Sequence, residues 1–110
     1  MHELAVMQAV VDQVSERLGD QRVATIRLSV GRLSGVVPDA LRFCFELSTS
    51  GTCLDGAELT IEEPPGEAHC RTCGRDFELD QLIVLCPCGS ADVCIVGGDQ
   101  LLIRSVVLTG

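Results

Sequence analysis

Four cysteines within nineteen residues are the feature that most constrains how this chain can fold. They form a C-x2-C pair and a C-x-C pair separated by twelve residues: Cys70, Cys73, Cys86 and Cys88. Two close pairs of thiolates across a short hairpin can supply the tetrahedral S4 shell that Zn²⁺ takes in structural sites. Gly74 and Gly89 follow the two pairs, where tight turns need residues that tolerate a positive φ. The spacing therefore predicts a zinc site.

The second pair is one residue shorter than the usual zinc knuckle, so alternatives at this site stay open. Cys94 or His69 could replace one of the four cysteines, or the thiols could be buried without a metal. An all-thiolate site leaves no coordination position for water, and no acidic residue is obviously placed as a general base. We therefore expect any zinc here to be structural and the protein not to be an enzyme.

The composition allows only a modest apolar core. The chain has 110 residues with three Phe, no Trp and no Tyr, so Val, Leu, Ile and Ala must fill the interior. Such a core gains from a bound metal.

An odd number of cysteines argues against a closed disulfide framework, and neither a signal peptide nor a membrane-spanning run is evident. We expect a cytoplasmic protein that does not contact a membrane.

The charge of the chain makes nucleic acid an unexpected partner. The net charge is −8, and the cysteine-rich stretch 67–99 carries six acidic residues against two arginines. Bound thiolates would make that stretch more negative still. A surface of this sign repels a phosphate backbone, so the zinc motif does not indicate DNA or RNA binding.

Hydrophobic periodicity divides the chain into helices and strands. Apolar residues at helical spacing predict a first helix over about 3–18, and Pro38 and Asp39 begin a second helix that ends near Ser50, with Leu41, Cys44 and Phe45 on one face. The stretches RVATIRLSVGRL, AELTIEE and QLLIRSVVL read as strands.

These elements predict an α+β fold in which two helices lie on a small mixed three-stranded sheet, with an inserted zinc-ribbon-like module. Residues 1–66 plus 100–110 form the α+β domain in this interpretation, and residues 67–99 form a zinc-binding module. Pro64, Pro65 and Gly66 are interpreted as a linker between the two parts.

The first three residues, Met1, His2 and Glu3, form a candidate metal chelator. A bulky second residue should leave Met1 in place with a free amine, which forms adjacent chelate rings with the His2 amide nitrogen and Nδ1. Planar, nitrogen-rich coordination suits Ni²⁺ or Cu²⁺ better than Zn²⁺ or Mg²⁺. Glu3 or Asp39 could add a donor. Alternatively, His2 is a frayed terminal residue and Glu3 an acid that favours a helix start.

The order of motifs along nearly the whole chain resembles the HypA/HybF family of hydrogenase nickel-maturation proteins. The similar stretches are the MHE start, VGRLSGVVPDALRFCFE, GAELTIEE, and C-x2-CG followed by CPCGS. The resemblance implies a nickel site at Met1, His2 and Glu3 and zinc ligation by the four cysteines. The family usually reads CPxCG where this chain reads CPCG. His69 is the one candidate for the histidine near the zinc module that completes nickel coordination in some members.

The resemblance also implies a function. It implies a nickel metallochaperone that delivers Ni²⁺ to a [NiFe]-hydrogenase large-subunit precursor, with a HypB-type GTPase as partner, acting as a monomer or homodimer. Nickel would be the transient cargo and Zn²⁺ the structural ion. The alternative is a zinc-ribbon protein-interaction adaptor without a second metal, whose activity would not depend on His2.

Overall fold

The computed structural model describes residues 3–79 and 84–109, which form two separate three-stranded sheets and two helices. The described part is elongated, with extents of 52 × 24 × 18 Å and a radius of gyration of 17.0 Å. A compact domain of this length has a radius of gyration of about 13 Å, so the two sheets lie end to end rather than in one layer. The elements are α1 (Glu3–Leu18), β1 (Val23–Val30), α2 (Pro38–Thr49), β2 (Glu58–Glu62), β3 (Gly66–Cys70), β4 (Asp76–Leu79), β5 (Val93–Gly97) and β6 (Leu101–Leu108).

The first sheet has the order β2-β1-β6 and is mixed, as the sequence predicts. Strand β1 is parallel to β2 and antiparallel to β6. Two parallel neighbours need a crossover connection, and α2 supplies it between β1 and β2. The last strand returns to β1 after the cysteine-rich stretch, which confirms the predicted fold class of an α+β base that carries an insertion.

The main core lies between this sheet and the two helices. Its fully buried side chains include Met7, Ile26, Leu28 and Leu41. Alternation along β1 places Ile26, Leu28 and Val30 on the helix side. The predicted inward face of α2 is confirmed, since Leu41, Cys44 and Phe45 are buried, whereas Leu4 in the first turn of α1 is 40% exposed.

The two helices begin next to each other. Helix α2 starts at Pro38, and the residue before it, Val37, has no side-chain cap. The Val37 N–H instead donates to Glu3 Oε2 of α1 at 3.4 Å. A carboxylate is favourable at the positive end of the α2 dipole, so Glu3 connects the start of α1 to the start of α2.

The second sheet has the order β4-β3-β5, and both pairings are antiparallel. It buries few side chains. Among its described residues and the adjoining turns, the buried side chains are those of Ala68, Cys70, Leu79 and Cys86, and Gly66, which has no side chain, is buried as well. Because two of these four are cysteines, the sulfur cluster takes the place that an apolar core occupies in the first sheet.

The junction between the sheets differs from the expected linker, because Gly66 is the first residue of β3 and the preceding prolines are packed. The Arg32 N–H donates to the Pro64 carbonyl at 3.0 Å, and the Leu33 N–H donates to the Gly98 carbonyl at 2.9 Å. A Cβ at Gly31 would collide with the Gly98 carbonyl oxygen. The connection is therefore a close-packed contact, while the division into two domains stays a prediction.

Candidate metal centre

The structure brings the four predicted cysteines together at the end of the second sheet. Their sulfur atoms all lie within 4.8 Å of one another. The Cys70 and Cys88 sulfurs are 3.8 Å apart, and the Cys73 and Cys86 sulfurs are 3.6 Å apart. Zn–S bonds of about 2.3 Å in a tetrahedron place neighbouring sulfurs about 3.8 Å apart. The cluster therefore has the size of a tetrahedral four-thiolate zinc site.

Two tight turns present these sulfurs, and the shortened second turn works like the first. In the first, the Cys73 N–H points to Cys70 Sγ at 3.5 Å and the Gly74 N–H donates to the Cys70 carbonyl. In the second, the Cys88 N–H points to Cys86 Sγ at 3.4 Å and Gly89 donates to the Cys86 carbonyl at 2.8 Å.

Both glycines have positive φ, 75° at Gly74 and 97° at Gly89. Residues other than glycine rarely adopt this backbone conformation. CPCG is one residue shorter than the family's CPxCG, and the second turn is shorter by the same amount. Its closing hydrogen bond spans four residues, whereas that of the first turn spans five. The Cys88 sulfur consequently still lies in the cluster.

Polar contacts join the two turns to each other. The Arg71 guanidinium donates to Asp92 Oδ1 at 2.9 Å, and the Thr72 and Ser90 hydroxyls lie 2.8 Å apart. Within the second turn, the Cys86 N–H donates to the Ser90 carbonyl at 2.9 Å. The hydrogen bond from Arg71 to Asp92 also raises the pKa of the guanidinium. These contacts hold the two pairs of cysteines in register around the cluster.

The buried thiols of the cluster differ in acidity. The backbone N–H of Cys73 lowers the pKa of Cys70 from 9.0 to about 6, because it stabilises the thiolate. The backbone N–H of Cys88 lowers the pKa of Cys86, but burial and the neighbouring thiols outweigh it and raise that pKa to about 12. Metal binding therefore displaces protons from the cluster, so its metal affinity depends on pH.

The two alternative ligands, His69 and Cys94, lie outside the cluster. His69 is opposite Asp76 on β4 and Cys94 on β5. The His69 Nδ1 atom pairs with Asp76 Oδ1 at 2.6 Å, and the Cys94 thiol points to the His69 carbonyl at 3.7 Å. Among the described His, Cys, Asp and Glu side chains, the group close enough to share one metal ion consists of the four cysteines.

The predicted nickel site falls mainly outside the described residues. Met1 and His2 are not among them, and Glu3 is the first residue of α1. The Glu3 carboxylate accepts the Val37 N–H, and Asp39, the other suggested donor, pairs with Arg42 Nη1 at 2.9 Å. The nickel ligands therefore remain a prediction.

An exposed apolar face on α2 is a feature that the sequence reasoning missed. Phe43 and Leu47 are 65% and 61% exposed. Their four-residue spacing is out of phase with the buried Leu41 and Phe45, and this offset is the signal in the sequence that could have revealed them. Neither helix in the described part of the chain is long and apolar enough to cross a membrane.

Comparison with known protein families identifies the family to which this chain belongs. A family model described as "Hydrogenase/urease nickel incorporation, metallochaperone, hypA" matches residues 1–108. The chain belongs to the HypA family. The match covers the MHE start as well as the four cysteines, so the resemblance noted from sequence motifs is confirmed over nearly the whole chain.

Individual relatives agree with this assignment. Proteins named hydrogenase maturation factor HypA are 48% identical in Streptomyces avermitilis, over 96% of this chain and 86% of the relative, and 38% identical in Chlorobium luteolum, over 98% and 96%. The fold is similar to a solution structure of the Ni metallochaperone HypA from Helicobacter pylori, with a TM-score of 0.69 at 21% identity, over 98% of this chain and 97% of that chain.

Proposed function

We propose that this HypA family member is a nickel metallochaperone that binds Ni²⁺ at Met1, His2 and Glu3 and delivers it to a [NiFe]-hydrogenase large-subunit precursor. The observation that carries the proposal is the family match over residues 1–108, which includes all three residues. The relatives that it resembles are maturation factors, so we infer that the chain is not an enzyme. Its chemistry is the capture and release of a metal ion.

The proposed nickel site suits exchange rather than storage. The α-amine, the His2 amide nitrogen and the His2 Nδ1 atom supply nitrogen donors, which favour Ni²⁺. The Glu3 carboxylate accepts the Val37 N–H, and this contact anchors the first described residue of the motif to the start of α2. Few side chains contribute to the site, so a recipient with more donors can withdraw the ion.

The four-cysteine cluster is proposed as the site of a structural Zn²⁺ ion. Cys70, Cys73, Cys86 and Cys88 would hold it, because their sulfurs lie within 4.8 Å of one another and two pairs of them are 3.8 and 3.6 Å apart. Four thiolates fill the coordination shell, so the ion would stabilise the second sheet and would not activate water.

The proposed partners follow from this role. We propose a HypB-type GTPase and the hydrogenase large-subunit precursor as protein partners in the cytoplasm. The chain would act as a monomer or homodimer. It would bind neither a nucleic acid nor a membrane. The net charge of −8 supports the exclusion of nucleic acid, because it repels phosphates and attracts metal cations and basic protein surfaces.

Nickel calorimetry on the zinc-loaded, tag-free chain tests the function. The matched sample is the same chain with one residue added before Met1, which removes the chelating amine and leaves His2, Glu3 and the fold. We expect the added residue to abolish the nickel site or change its stoichiometry. Unchanged binding would place the metal elsewhere and favour the adaptor alternative, in which His2→Ala also leaves partner binding and hydrogenase maturation intact.

A further inference from the structure

Helix α2 begins without a polar side chain at its N-cap position. The residue there is Val37, whose side chain cannot accept a hydrogen bond, and the first helical residue is Pro38, which has no N–H. The backbone of Val37 is extended, with φ −90° and ψ 116°, as is typical of an N-cap residue. The start of this helix is therefore ready to accept a polar group from elsewhere in the chain.

That group is the carboxylate of Glu3, in the first turn of α1. Its Oε2 atom accepts the Val37 N–H at 3.4 Å, across a separation of 34 residues in the sequence. Asp39, the acid within the first turn of α2, is paired with Arg42 at 2.9 Å. The carboxylate that reaches the backbone at the start of α2 therefore belongs to the proposed nickel motif.

The backbone that receives Glu3 is itself held in place. The Val36 N–H donates to Ser34 Oγ at 3.2 Å, which closes a turn directly before Val37. On the helix side, the Leu41 N–H donates to the Val37 carbonyl at 3.1 Å. Because hydrogen bonds fix the chain on both sides of Val37, a contact with its N–H also fixes the first turn of α1.

We propose that the Glu3 carboxylate is a positioning group for the nickel site and not a nickel ligand. By binding the α2 backbone, it fixes the point at which the nitrogen donors of Met1 and His2 join the fold, which lowers the entropy lost when the metal binds. The proposal rests on the proposed nickel function and assigns a role within that site.

This role agrees with the donor set that suits nickel. The first N–H groups of a helix have no partner within the helix, so the Glu3 amide nitrogen can still serve as a donor while its carboxylate contacts α2. A set of nitrogens favours Ni²⁺, whereas an added carboxylate would move the preference toward Mg²⁺ and Mn²⁺. The contact with α2 thus keeps the oxygen of Glu3 away from the metal.

Two conservative substitutions separate positioning from ligation. Glu3→Gln keeps the reach of the side chain and an oxygen that can accept the Val37 N–H, whereas Glu3→Asp keeps the charge but is one methylene shorter. In nickel calorimetry on the zinc-loaded, tag-free chain, we expect Glu3→Asp to weaken binding about fivefold and Glu3→Gln to recover affinity to within about twofold. The nickel absorption bands should keep their positions in both variants. The opposite order of affinities, or shifted bands in Glu3→Gln, would overturn the proposal.

A substitute cap separates positioning from simple stabilisation of α2. Val37→Ser introduces a hydroxyl at a residue that is 54% exposed and already has the N-cap conformation. In the double variant Glu3→Ala with Val37→Ser, protection of the Leu41 N–H from hydrogen exchange should return to the wild-type level. Nickel affinity should stay about fivefold weaker, because the new hydroxyl does not hold α1. Recovery of nickel affinity together with helix protection would show that Glu3 only stabilises α2 and would overturn the positioning role.

A charge control and a terminal extension complete the experiment. Glu16→Ala removes an exposed acid near the other end of α1 and should leave nickel affinity unchanged. An equal loss in Glu16→Ala would overturn the positioning role, because net charge would explain both results. If one residue added before Met1 abolishes binding while Glu3→Ala binds like the wild type, the nickel site stands and the positioning role is wrong. If the extension has no effect, the nickel site is wrong and the positioning role fails with it.

Discussion

The two sheets of this protein have the same number of strands but different sources of stability. The first sheet is covered by two helices and shares with them a buried cluster that contains thirteen side chains of the described residues, including Met7, Ile26 and Leu41. In the described part of the second sheet, little is buried beyond Ala68, Leu79 and the two inner cysteines. Burial of apolar area is enough to hold the first. The described part of the second sheet lacks that area, so we expect a metal ion to supply much of its folding free energy.

The largest expected effect comes from removing one sulfur of the cluster. Cys73→Ser should abolish tight zinc binding and loosen β3, β4 and β5, because structural zinc sites contribute roughly 10–16 kcal/mol in small zinc-binding peptides. Hydrogen exchange should show loss of protection in the second sheet while β1 and α1 stay protected. The control Cys94→Ser, a half-buried thiol outside the cluster, should retain one zinc per chain. Loss of protection in both sheets would show that the molecule unfolds as one unit and would refute the separation.

The reciprocal change to the loss of a cluster sulfur is the shortening of a core side chain in the first sheet. Leu28 is fully buried between β1 and the helices, and Leu28→Ala should lower the free energy of unfolding by about 3–4 kcal/mol. Denaturant titration measures this loss, and zinc content measured on the folded protein should stay at one per chain. Leu102→Ala, on the solvent-exposed face, should cost less than about 1 kcal/mol. A comparable loss in both variants would mean that the helices do not form the main core.

The junction between the sheets is expected to give an intermediate effect. Gly31→Ala places a Cβ against the Gly98 carbonyl oxygen and backbone, which cannot move as a flexible side chain can. We expect a loss of about 2 kcal/mol in unfolding free energy and a clearer separation of the two unfolding transitions. In Gly97→Ala the added carbon lies 2.9 Å from the mobile carboxylate of Glu67, so its effect should be small. Equal stability of both variants would restore the interpretation of a free linker.

Lowering the pH should affect the second sheet but not the first, and this is the smallest of the expected effects. A Cys70 pKa lowered from 9.0 to about 6 contributes stability that is complete above pH 9 and is lost as the pH falls through about 6. Zinc should therefore be retained at neutral pH and released more steeply below about pH 6, as read with a zinc-sensitive dye. The circular dichroism of the helices should persist over the same range. Loss of the helical signal in parallel with zinc release would contradict the comparison.

Most of the fold could be predicted from short-range patterns. Helical spacing located α1 and α2, alternation located β1, β2 and β6, and the pair spacing of the cysteines located the cluster. The packing of Pro64 and Pro65 was not predictable, because it depends on a contact with the loop after β1 that is distant in sequence. The exposed Phe43 was overlooked for a related reason. Apolar character alone does not indicate which side of a helix the sheet will cover.

The sequence by itself determined the family, the two helices, the strands β1, β2 and β6 in their order along the chain, and the candidate ligands. These depend on residue type, periodicity and spacing, which are local properties. Tertiary structure alone decided that the CPCG turn still brings Cys88 to the cluster, that Glu3 contacts the start of α2, and that Gly31 packs against Gly98. Each of these depends on where distant backbone segments meet, which is set by packing of the whole chain.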